Sequence, residues 1–364
     1  MAGNGSGLTD LGLDEDVRVH GCHRRALRCS HRQEGRTYRR HPQSLATDSK
    51  DDAITVSDVG EFGLIARVTA DLTPADTTLL GPGDDAAVVR AADGRVVATT
   101  DMLIEGRHFR RDWSTANDIG HKAAARNFAD IVAMGAVPTA LLVGLAAPPD
   151  LELEWADGLM AGLREECGEV GAAVVGGDVA AADVITLGVT ALGDLQGRNP
   201  VTLGGAHVGD VVAVAGRLGW ADAGFAVLSR GFRSPVQIVA AHRRPEVPYR
   251  EGPLAAELGA TAMTDVSDGL IADLGHIADA SGVRMELRAD LVPMPMKLKE
   301  VGAALNTDPL VWVLTGGDDY ALVATFPASA QLPDAWTVIG KAVEGEGVRV
   351  DGRRWPTGGH EHFR

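Results

Sequence analysis

The sequence contains few aromatic residues and few cysteines. Aromatic side chains make up only 4% of the 364 residues, whereas 45 residues are glycine. This balance disfavours an aromatic-cored β-sandwich and favours α/β layers that pack through small side chains. The three cysteines, Cys22, Cys29 and Cys167, have neither metal-ligand spacing nor a paired framework. Such cysteine usage is typical of a protein in a reducing compartment.

The chain also lacks long apolar runs and an excess of positive charge. No stretch approaches the roughly 18–20 apolar residues of a membrane span, and the first fifty residues contain no apolar segment of a secretory signal. We therefore expect a soluble, cytoplasmic protein with no membrane partner. The formal net charge of −16 disfavours nucleic acid as a partner, because binding a phosphate backbone requires a basic face.

Three common catalytic motifs are missing as well. The sequence has no Gly-x-x-x-x-Gly-Lys-Ser/Thr phosphate loop and no Gly-x-Gly-x-x-Gly that opens a helix after a strand. It has no Gly-x-Ser-x-Gly nucleophile turn either. These absences disfavour the usual nucleotide-binding folds and acyl transfer.

The first fifty residues differ in composition from the rest of the chain. They carry nine Lys/Arg, six Asp/Glu and four of the eleven histidines, with hardly any apolar periodicity. Such a segment buries too little apolar surface to offset the entropy of ordering it. We expect residues 1–56 to be a disordered extension. The alternative is a metal- or polyanion-binding tail built on His20-Gly-Cys-His23 and the nearby arginines.

The remaining residues alternate apolar strand-like runs with helical segments. Residues 95–101 have the pattern of a strand that ends in a carboxylate, and residues 117–135 that of an alanine-rich helix. A second block with the same alternation begins near residue 199. Several strands are adjacent in sequence, which favours mixed sheets over a doubly wound parallel sheet. We predict an α/β fold in two domains, residues 57–197 and 198–364.

Six short acidic stretches carry the chemical signal. Each alone also fits an ordinary turn, a helix cap or a solvated helix face. Several follow apolar runs, however, where a ligand cluster at strand ends is more expected than a solvated charge. Mg²⁺ prefers oxygen ligands and shares them with substrate phosphates, so converging carboxylates suit it. The aspartates that we single out are Asp85, Asp101, Asp130, Asp178, Asp265 and Asp268.

Neutral groups accompany these acids. Hydroxyls at Thr99, Thr100 and Ser267 add further oxygen atoms, and the backbone of Gly176-Gly177 has no Cβ to obstruct a nucleotide. On the predicted helix, residues 122, 126, 127 and 130 are three or four apart, so some of them share a face. The sequence therefore predicts a phosphoryl-transfer enzyme in which divalent cations offset the negative charge of the site and of its substrate.

Seven motifs, in order along the chain, resemble the thiamine-monophosphate kinase family. They cover residues 60 to 363 and leave out the N-terminal extension. The motifs are Gly60-Glu-Phe-Gly-Leu-Ile65, Gly83-Asp-Asp85, Thr99-Thr-Asp-Met-Leu-Ile-Glu-Gly-Arg-His-Phe109, Gly176-Gly-Asp178, Asp265-Val-Ser-Asp-Gly-Leu-Ile-Ala-Asp-Leu274, Gly316-Gly-Asp-Asp-Tyr320 and His360-Glu-His-Phe363.

This resemblance implies a function and a set of site residues. It implies ATP-dependent phosphorylation of thiamine monophosphate to thiamine diphosphate by a homodimer with the fold of aminoimidazole ribonucleotide synthetase. The acceptor phosphate is already an anion, so we expect direct in-line transfer assisted by Mg²⁺. The implied Mg²⁺ ligands are Asp85, Thr99, Thr100, Asp101, Asp130, Asp178, Asp265 and Asp268. The implied nucleotide-binding residues are Gly177, Asp178 and Ser267; the substrate-binding residues are His108, Asp318 and His360; the catalytic residues are Asp268 and Asp178.

Three positions depart from the family pattern. Leu203 stands where the family usually has a phosphate-facing Arg, for which Arg198 is a candidate substitute. Asp318 replaces a substrate-binding Glu, and His360 replaces a closing aromatic residue. Two alternatives stay open: another ATP-dependent enzyme of the same superfamily, or a catalytically silent module that binds nucleotide or metal.

Overall fold

The computed structural model of the chain describes residues 53–83 and 86–355. The predicted site residues Asp85 and His360 lie outside these ranges, as does the predicted extension up to residue 52. The described residues belong to one compact unit, which spans Asp52–Arg364. Its first helix begins at Val56, which is the last residue of the predicted extension. Thr55 caps this helix, and its backbone amide donates to the Asp58 carboxylate at 2.8 Å.

The first half of the described chain builds a four-stranded sheet covered by helices. The strand order is β3-β6-β4-β5, with β4 and β5 parallel and the other pairs antiparallel. A separate two-stranded sheet pairs β1 with β2. The elements are α1 (Val56–Thr69), β1 (Thr78–Leu80), β2 (Val88–Val89), β3 (Val97–Ile104), α2 (Ala116–Ala133), β4 (Val137–Ala147), α3 (Leu153–Val170), β5 (Ala173–Ala181) and β6 (Thr186–Asp194).

The second half builds a six-stranded sheet. Its order is β12-β9-β11-β7-β10-β8, and only β12 and β9 are parallel among its pairs. Both large sheets are therefore mixed, which confirms the predicted fold class. The elements are β7 (Val211–Ala215), α4 (Trp220–Ser229), α5 (Val236–Arg243), α6 (Glu251–Glu257), β8 (Ala262–Val266), α7 (Leu270–Ser281), β9 (Arg284–Leu287), α8 (Met296–Leu305), α9 (Pro309–Thr315), β10 (Ala321–Phe326), β11 (Trp336–Val343) and β12 (Gly347–Val350), with a short 3₁₀ turn at Ala289–Leu291.

Helix α2 forms the central support of the fold. Thr115 and Asp118 cap its start reciprocally: the Thr115 amide donates to the Asp118 carboxylate at 2.9 Å, and the Asp118 amide donates to the Thr115 hydroxyl at 3.1 Å. The alanine-rich sequence then lets the helix lie flat against the sheet, where Phe128 and Ile131 are fully buried. Burying each of these two side chains contributes about 1.5–3 kcal/mol.

The C-terminal end of α2 also reaches the second half of the chain. Val132 and Ala133 share an apolar cluster with Ala213 and Leu322 of the six-stranded sheet. Helix α6 approaches the same turn of α2 so closely that a Cβ at Gly252 would lie 2.0 Å from the Val132 carbonyl oxygen. One helix therefore contacts both halves, and its polar side chains are held where the halves meet.

The register of the four-stranded sheet decides which side chains share a face. One row across the sheet aligns Asp101 with Val189, Val143 and Gly177, and the next row aligns Met102 with Gly188, Gly144 and Asp178. Side chains in successive rows point to opposite faces. Asp101 lies on the face covered by α2, whereas Asp178 lies on the outer face, where Met102 is 52% exposed.

Two details of the strand prediction are wrong. The predicted strand at 95–101 was expected to end at Asp101, but β3 continues to Ile104 because its last residues pair with β6. Asp178 was also expected at the end of a strand, but it lies inside β5, which continues to Ala181. None of the helices in the described ranges combines the length and apolarity that a membrane-spanning segment needs.

Candidate active site

A cleft of about 870 Å³ is lined by both halves of the described chain. The first half contributes Asp101 from β3 and Arg126 and Asp130 from α2. The second half contributes Ser267 and Asp268, which lie in the connection between β8 and α7. Five polar residues that are distant in sequence therefore line one cavity.

Two predicted metal ligands of the first half, Asp101 and Asp130, lie side by side. The Thr99 hydroxyl donates to the Asp130 carboxylate at 2.6 Å, and Arg126 Nε donates to Asp101 Oδ2 at 2.8 Å. Burial chiefly raises the pKa of Asp130 to about 6; the hydrogen bond from Thr99 opposes the shift, and the nearby charge of Asp101 adds to it. The site therefore holds a carboxyl group that binds a proton more readily than an exposed aspartate.

Asp265 adds a third carboxyl group from the second half. It lies in β8 and is only 7% exposed, and its Oδ2 has no hydrogen-bond partner. Burial raises its pKa well above the usual value, and the charges of Asp130, Asp273 and Asp101 raise it further. An unsatisfied buried carboxylate oxygen costs about 1–3 kcal/mol or more. A bound cation would remove that cost, so this donor set of carboxylates and the Thr99 hydroxyl fits Mg²⁺.

Asp268 lies at the start of α7, beside groups that sequence reasoning did not single out. Asp273 accepts the backbone amides of Asp268 and Gly269 at 3.1 and 3.0 Å and so caps the helix. Ligand atoms of Asp268, Asp273 and His276 all lie within 4.8 Å of one another. Burial raises the pKa of Asp273 to about 7, and the charge of Asp268 adds to the shift. The i,i+3 spacing of residues 273 and 276 on one helix face was the available signal.

Asp318 is held by two residues that the sequence did not pair with it. Lys122 Nζ donates to Asp318 Oδ2 at 2.8 Å, and the Tyr320 hydroxyl donates to Asp318 Oδ1 at 2.9 Å. Burial alone would raise the pKa of Asp318, but Lys122 holds it below its usual range. The spacing of residues 122, 126 and 130 indicated a shared helix face, but their partners come from other elements.

The other end of the cleft is aromatic. His108 lines it, and its Nδ1 accepts the Ile104 amide at 2.9 Å. The Trp113 ring packs edge-on against Phe225 and His242, with centroids 5.8 and 6.1 Å apart. Burial chiefly lowers the pKa of His242 to about 3, and the charge of Lys122 adds to the shift. His242 is therefore neutral at physiological pH, and this wall presents ring surfaces.

Five predicted site residues that the structure describes do not line this cleft: Thr99, Thr100, Gly177, Asp178 and Asp265. Thr100 and Asp178 lie on the outer face of the sheet, where the Thr100 hydroxyl donates to the Val189 carbonyl and accepts from Thr190, each at 3.0 Å. Gly177 lies against β4, where an added Cβ would be 1.9 Å from the Val143 carbonyl oxygen. The close approach of β4 therefore explains the glycine at position 177 without a bound nucleotide.

Arg198, the candidate substitute for the Arg missing at position 203, does not line the cleft. Leu203 is 39% exposed. Arg198, the candidate substitute, donates to Glu257 at 3.1 Å and to the Gly135 carbonyl at 3.3 Å. Arg198 is thus engaged outside the residues that line the cleft.

Comparison with known proteins identifies the family. The family model for the N-terminal domain of AIR synthase related proteins matches residues 83–195, and the model for the C-terminal domain matches residues 207–353. A thiamine-monophosphate kinase of Mycobacterium tuberculosis is 48% identical over 314 residues, which is 86% of this chain and 92% of the relative. One from Aquifex aeolicus is 33% identical over 318 residues, covering 85% of this chain and 99% of the relative.

Solved structures agree with these matches. The complex of AaThiL with AMPPCP and TMP has a TM-score of 0.71 and 32% identity, covering 85% of this chain and 99% of that one. The thiamine-monophosphate kinase of Stenotrophomonas maltophilia has a TM-score of 0.70 and 32% identity, covering 81% and 97%. The hydrogenase maturation protein HypE with ATP, at 19% identity and a TM-score of 0.62, shares the fold alone. The resemblance noted from the motifs is confirmed, and the chain belongs to the thiamine-monophosphate kinase family.

Proposed function

We propose that this protein transfers the γ-phosphoryl group of ATP to thiamine monophosphate and produces thiamine diphosphate. The observation that carries the proposal is a cleft lined by Asp101 and Asp130 from the first half and by Asp268 from the second, with the buried Asp265 within electrostatic reach of Asp101 and Asp130. AaThiL, 32% identical to this chain, was solved with AMPPCP, an analogue of ATP, and with TMP, which correspond to the two reactants of this reaction. The acids lie in a chain that is 48% identical to a thiamine-monophosphate kinase over most of its length.

The metal ligands are the next part of the proposal. Asp101, Asp130, Asp265 and Asp268, with the Thr99 hydroxyl, would hold Mg²⁺ at the cleft. When bound, Mg²⁺ supplies positive charge between two anionic reactants and orients their phosphates. Three further residues complete the proposed ligand set, two from the outer sheet face and one outside the described ranges: Thr100, Asp178 and Asp85.

The protein residues position the reactants in this reaction. The acceptor oxygen is an anion and needs no strong base, so its barrier is electrostatic. Two like charges 4 Å apart cost about 4 kcal/mol at an effective dielectric constant of 20. Asp268 and Asp178 are the proposed catalytic residues. Asp268 lies at the cleft wall and would fix a metal ion against the transferring group. Asp178, on the outer face of the sheet, is assigned from the resemblance to the family. Gly177, Asp178 and Ser267 are the proposed contacts to ATP.

The residues at the aromatic end of the cleft, with Asp318 beside them, form the proposed substrate wall. We assign His108 and Asp318 to thiamine monophosphate, together with His360 from outside the described ranges. Asp318 remains ionised because Lys122 stabilises its charge, so it can accept hydrogen bonds from the base of the substrate. The adjacent Trp113 and Phe225 rings offer apolar contact to the flat heterocycles.

Domain organisation and assembly are also proposals. The two domains would be residues 57–197 and 198–364, a division supported by separate family matches to 83–195 and 207–353. The outer face of the four-stranded sheet exposes Met102 and Leu142, at 52% and 37%. A second copy of the chain covering this face would form the homodimer and bring Asp178 to the subunit interface. A cytoplasmic location fits the free, buried thiol of Cys167.

One assay tests the reaction. Purified protein is incubated with ATP, Mg²⁺ and thiamine monophosphate, and the products are separated by chromatography. Formation of thiamine diphosphate and ADP in equal amounts supports the proposal. ATP hydrolysis without thiamine diphosphate would favour another ATP-dependent enzyme of the superfamily, and binding without turnover would favour a silent module.

A further inference from the structure

Arg126 occupies an unusual position for a cation in this site. Helix α2 presents Lys122, Arg126 and Asp130 one turn apart, and each lies at the cleft or is buried beside it. Lys122 is tied to Asp318 of the substrate wall. Arg126 is tied instead to Asp101 of the proposed metal site, with side chains 13% and 31% exposed. The guanidinium group therefore contacts one carboxylate of the cluster that is expected to bind Mg²⁺.

The charge of Arg126 is constant over the physiological pH range. Burial opposes its charged form, but Tyr320, Asp101 and Asp318 raise the pKa of Arg126 above its already high value. Within the described residues, no other cation forms an ion pair with Asp101, Asp130 or Asp265. Arg126 is thus the protein's own counter-ion for a cluster of carboxyl groups in which Asp265 carries an unpartnered oxygen.

The contact that holds Arg126 can be exchanged. Nε is the only Arg126 atom that is hydrogen-bonded within the described residues, and it donates to Asp101 Oδ2. A metal ion bound to that oxygen would compete with the guanidinium group for it and repel the positive charge. The two terminal nitrogens remain able to donate. A planar guanidinium group with several donors matches a phosphate better than a lysine does.

Two neighbouring cations, Lys122 and Arg110, have partners outside the proposed metal site. Lys122 is buried and donates to Asp318 at 2.8 Å and to the His242 carbonyl at 3.4 Å. Arg110 forms a two-point ion pair with Asp112 and stacks on the Trp113 ring at 4.6 Å. Arg126 lies near both Asp101 of the proposed metal site and Asp318, since the charges of both residues act on it.

We propose that Arg126 is an exchangeable counter-ion: it neutralises Asp101 while the site lacks metal, and it moves to the phosphate of thiamine monophosphate when Mg²⁺ takes its place. This inference rests on the proposed function and names a phosphate-binding residue for it. The exchange keeps the charge of the cleft nearly balanced in both states. It also predicts opposite effects of one substitution on two ligands.

The test measures binding without turnover. Mg²⁺ is titrated calorimetrically into nucleotide-free wild type, Arg126→Gln and Arg126→Lys. Thiamine monophosphate is then titrated into each protein with Mg²⁺ and a non-hydrolysable ATP analogue. We expect Arg126→Gln to bind Mg²⁺ about fivefold more tightly, because its competitor is gone. The same variant should bind thiamine monophosphate about tenfold more weakly, because a charge-assisted contact is lost.

Two further variants complete the design. Arg126→Lys keeps the charge and loses the planar group, so its Mg²⁺ affinity should match wild type while its affinity for thiamine monophosphate falls. Arg164→Gln is the matched control and should change neither affinity. Arg164 lies on α3, and the substitution breaks its 3.5 Å ion pair with Asp71. Thermal unfolding of every variant verifies folding.

The possible outcomes separate this inference from the proposed function. Mg²⁺ affinity that is unchanged or weaker in Arg126→Gln overturns the exchange, even if wild type produces thiamine diphosphate. If Arg126→Gln does not fold, an unchanged affinity for thiamine monophosphate in Arg126→Lys overturns it. If wild type produces no thiamine diphosphate, the proposed function fails on its own assay, and a gain in Mg²⁺ affinity would still support the competition at Asp101.

Discussion

Lys122 and Asp318 form an ion pair that joins the two halves of the chain across 196 positions of sequence, with Nζ 2.8 Å from Oδ2. The lysine side chain is 4% exposed, whereas the aspartate is 38% exposed on the cleft. The pair thus connects the central helix of the fold to the proposed substrate wall. It links the stability of the protein to the charge of its site.

Replacing Lys122 with methionine should weaken both stability and substrate binding. The substitution leaves the Asp318 charge without its main partner, which we expect to lower the free energy of unfolding by about 1–3 kcal/mol, less than for a fully buried pair because water reaches the carboxylate. Chemical denaturation measures the change. The double variant Lys122→Met/Asp318→Asn should recover part of the loss. No recovery would mean that Lys122 stabilises the protein through packing instead.

Asp268→Asn should severely reduce turnover and leave the fold intact. The carboxylate lies at the cleft, and the helix-capping contact at this position uses its backbone amide, which the variant retains. We expect a loss of about 100-fold or more in kcat, since a metal-positioning charge is removed. Asp279→Asn, exposed on the same helix, is the control. Near-wild-type turnover of Asp268→Asn would contradict the role assigned to it.

Asp130 should make the stability of the metal-free protein depend on pH. Its pKa is raised from 3.8 to about 6, so the folded state binds this proton more tightly than the unfolded state does. Its contribution to stability is full below about pH 4 and is lost as the pH rises through about 6. An asparagine at position 130 has no titratable proton. The free energy of unfolding of Asp130→Asn should therefore rise relative to that of wild type, by up to about 3 kcal/mol across this pH window. Denaturation of both proteins in EDTA from pH 4 to 7 measures the difference in their free energies of unfolding. A difference that stays constant over this range would contradict the prediction.

Met102→Lys should disrupt the proposed homodimer. Met102 is 52% exposed on the outer face of the four-stranded sheet, and a lysine there would place a charge in the interface. Light scattering during size-exclusion chromatography should report a dimer for wild type and a monomer for the variant. Met296→Lys, at a 66% exposed position on α8, should remain dimeric. A wild-type monomer would refute the assembly.

Removing residues 1–50 should leave activity unchanged. The composition of this segment predicts no packed structure, and the seven family motifs all lie after it. The kinase assay on the truncated protein, with full-length protein as the reference, measures the effect. A large loss of activity would favour the alternative of a functional tail.

Local patterns in the sequence were sufficient for the family and the fold class, whereas the roles of the site residues stay predictions. The acidic stretches of the sequence singled out Asp101, Asp130, Asp265 and Asp268, and the structure brings the first three within electrostatic reach of one another. The helix around residue 126 could be predicted because capping and 3.6-residue periodicity are local properties. The strand containing Asp101 was placed correctly, but its end was not, because pairing with β6 extends it.

The sequence by itself determined which chemical groups are present and in which order, because composition, periodicity and motifs belong to the chain. Only the tertiary structure decided their partners. Thr99 contacts Asp130 while the adjacent Thr100 faces the other side of the sheet, since side chains alternate along a strand. Asp178 lies opposite the face of Asp101 because a register shift near Leu141 sets the alignment of β4 with β5. Strand register and contacts between distant residues depend on how the whole chain packs, so they cannot be read from a short segment of sequence.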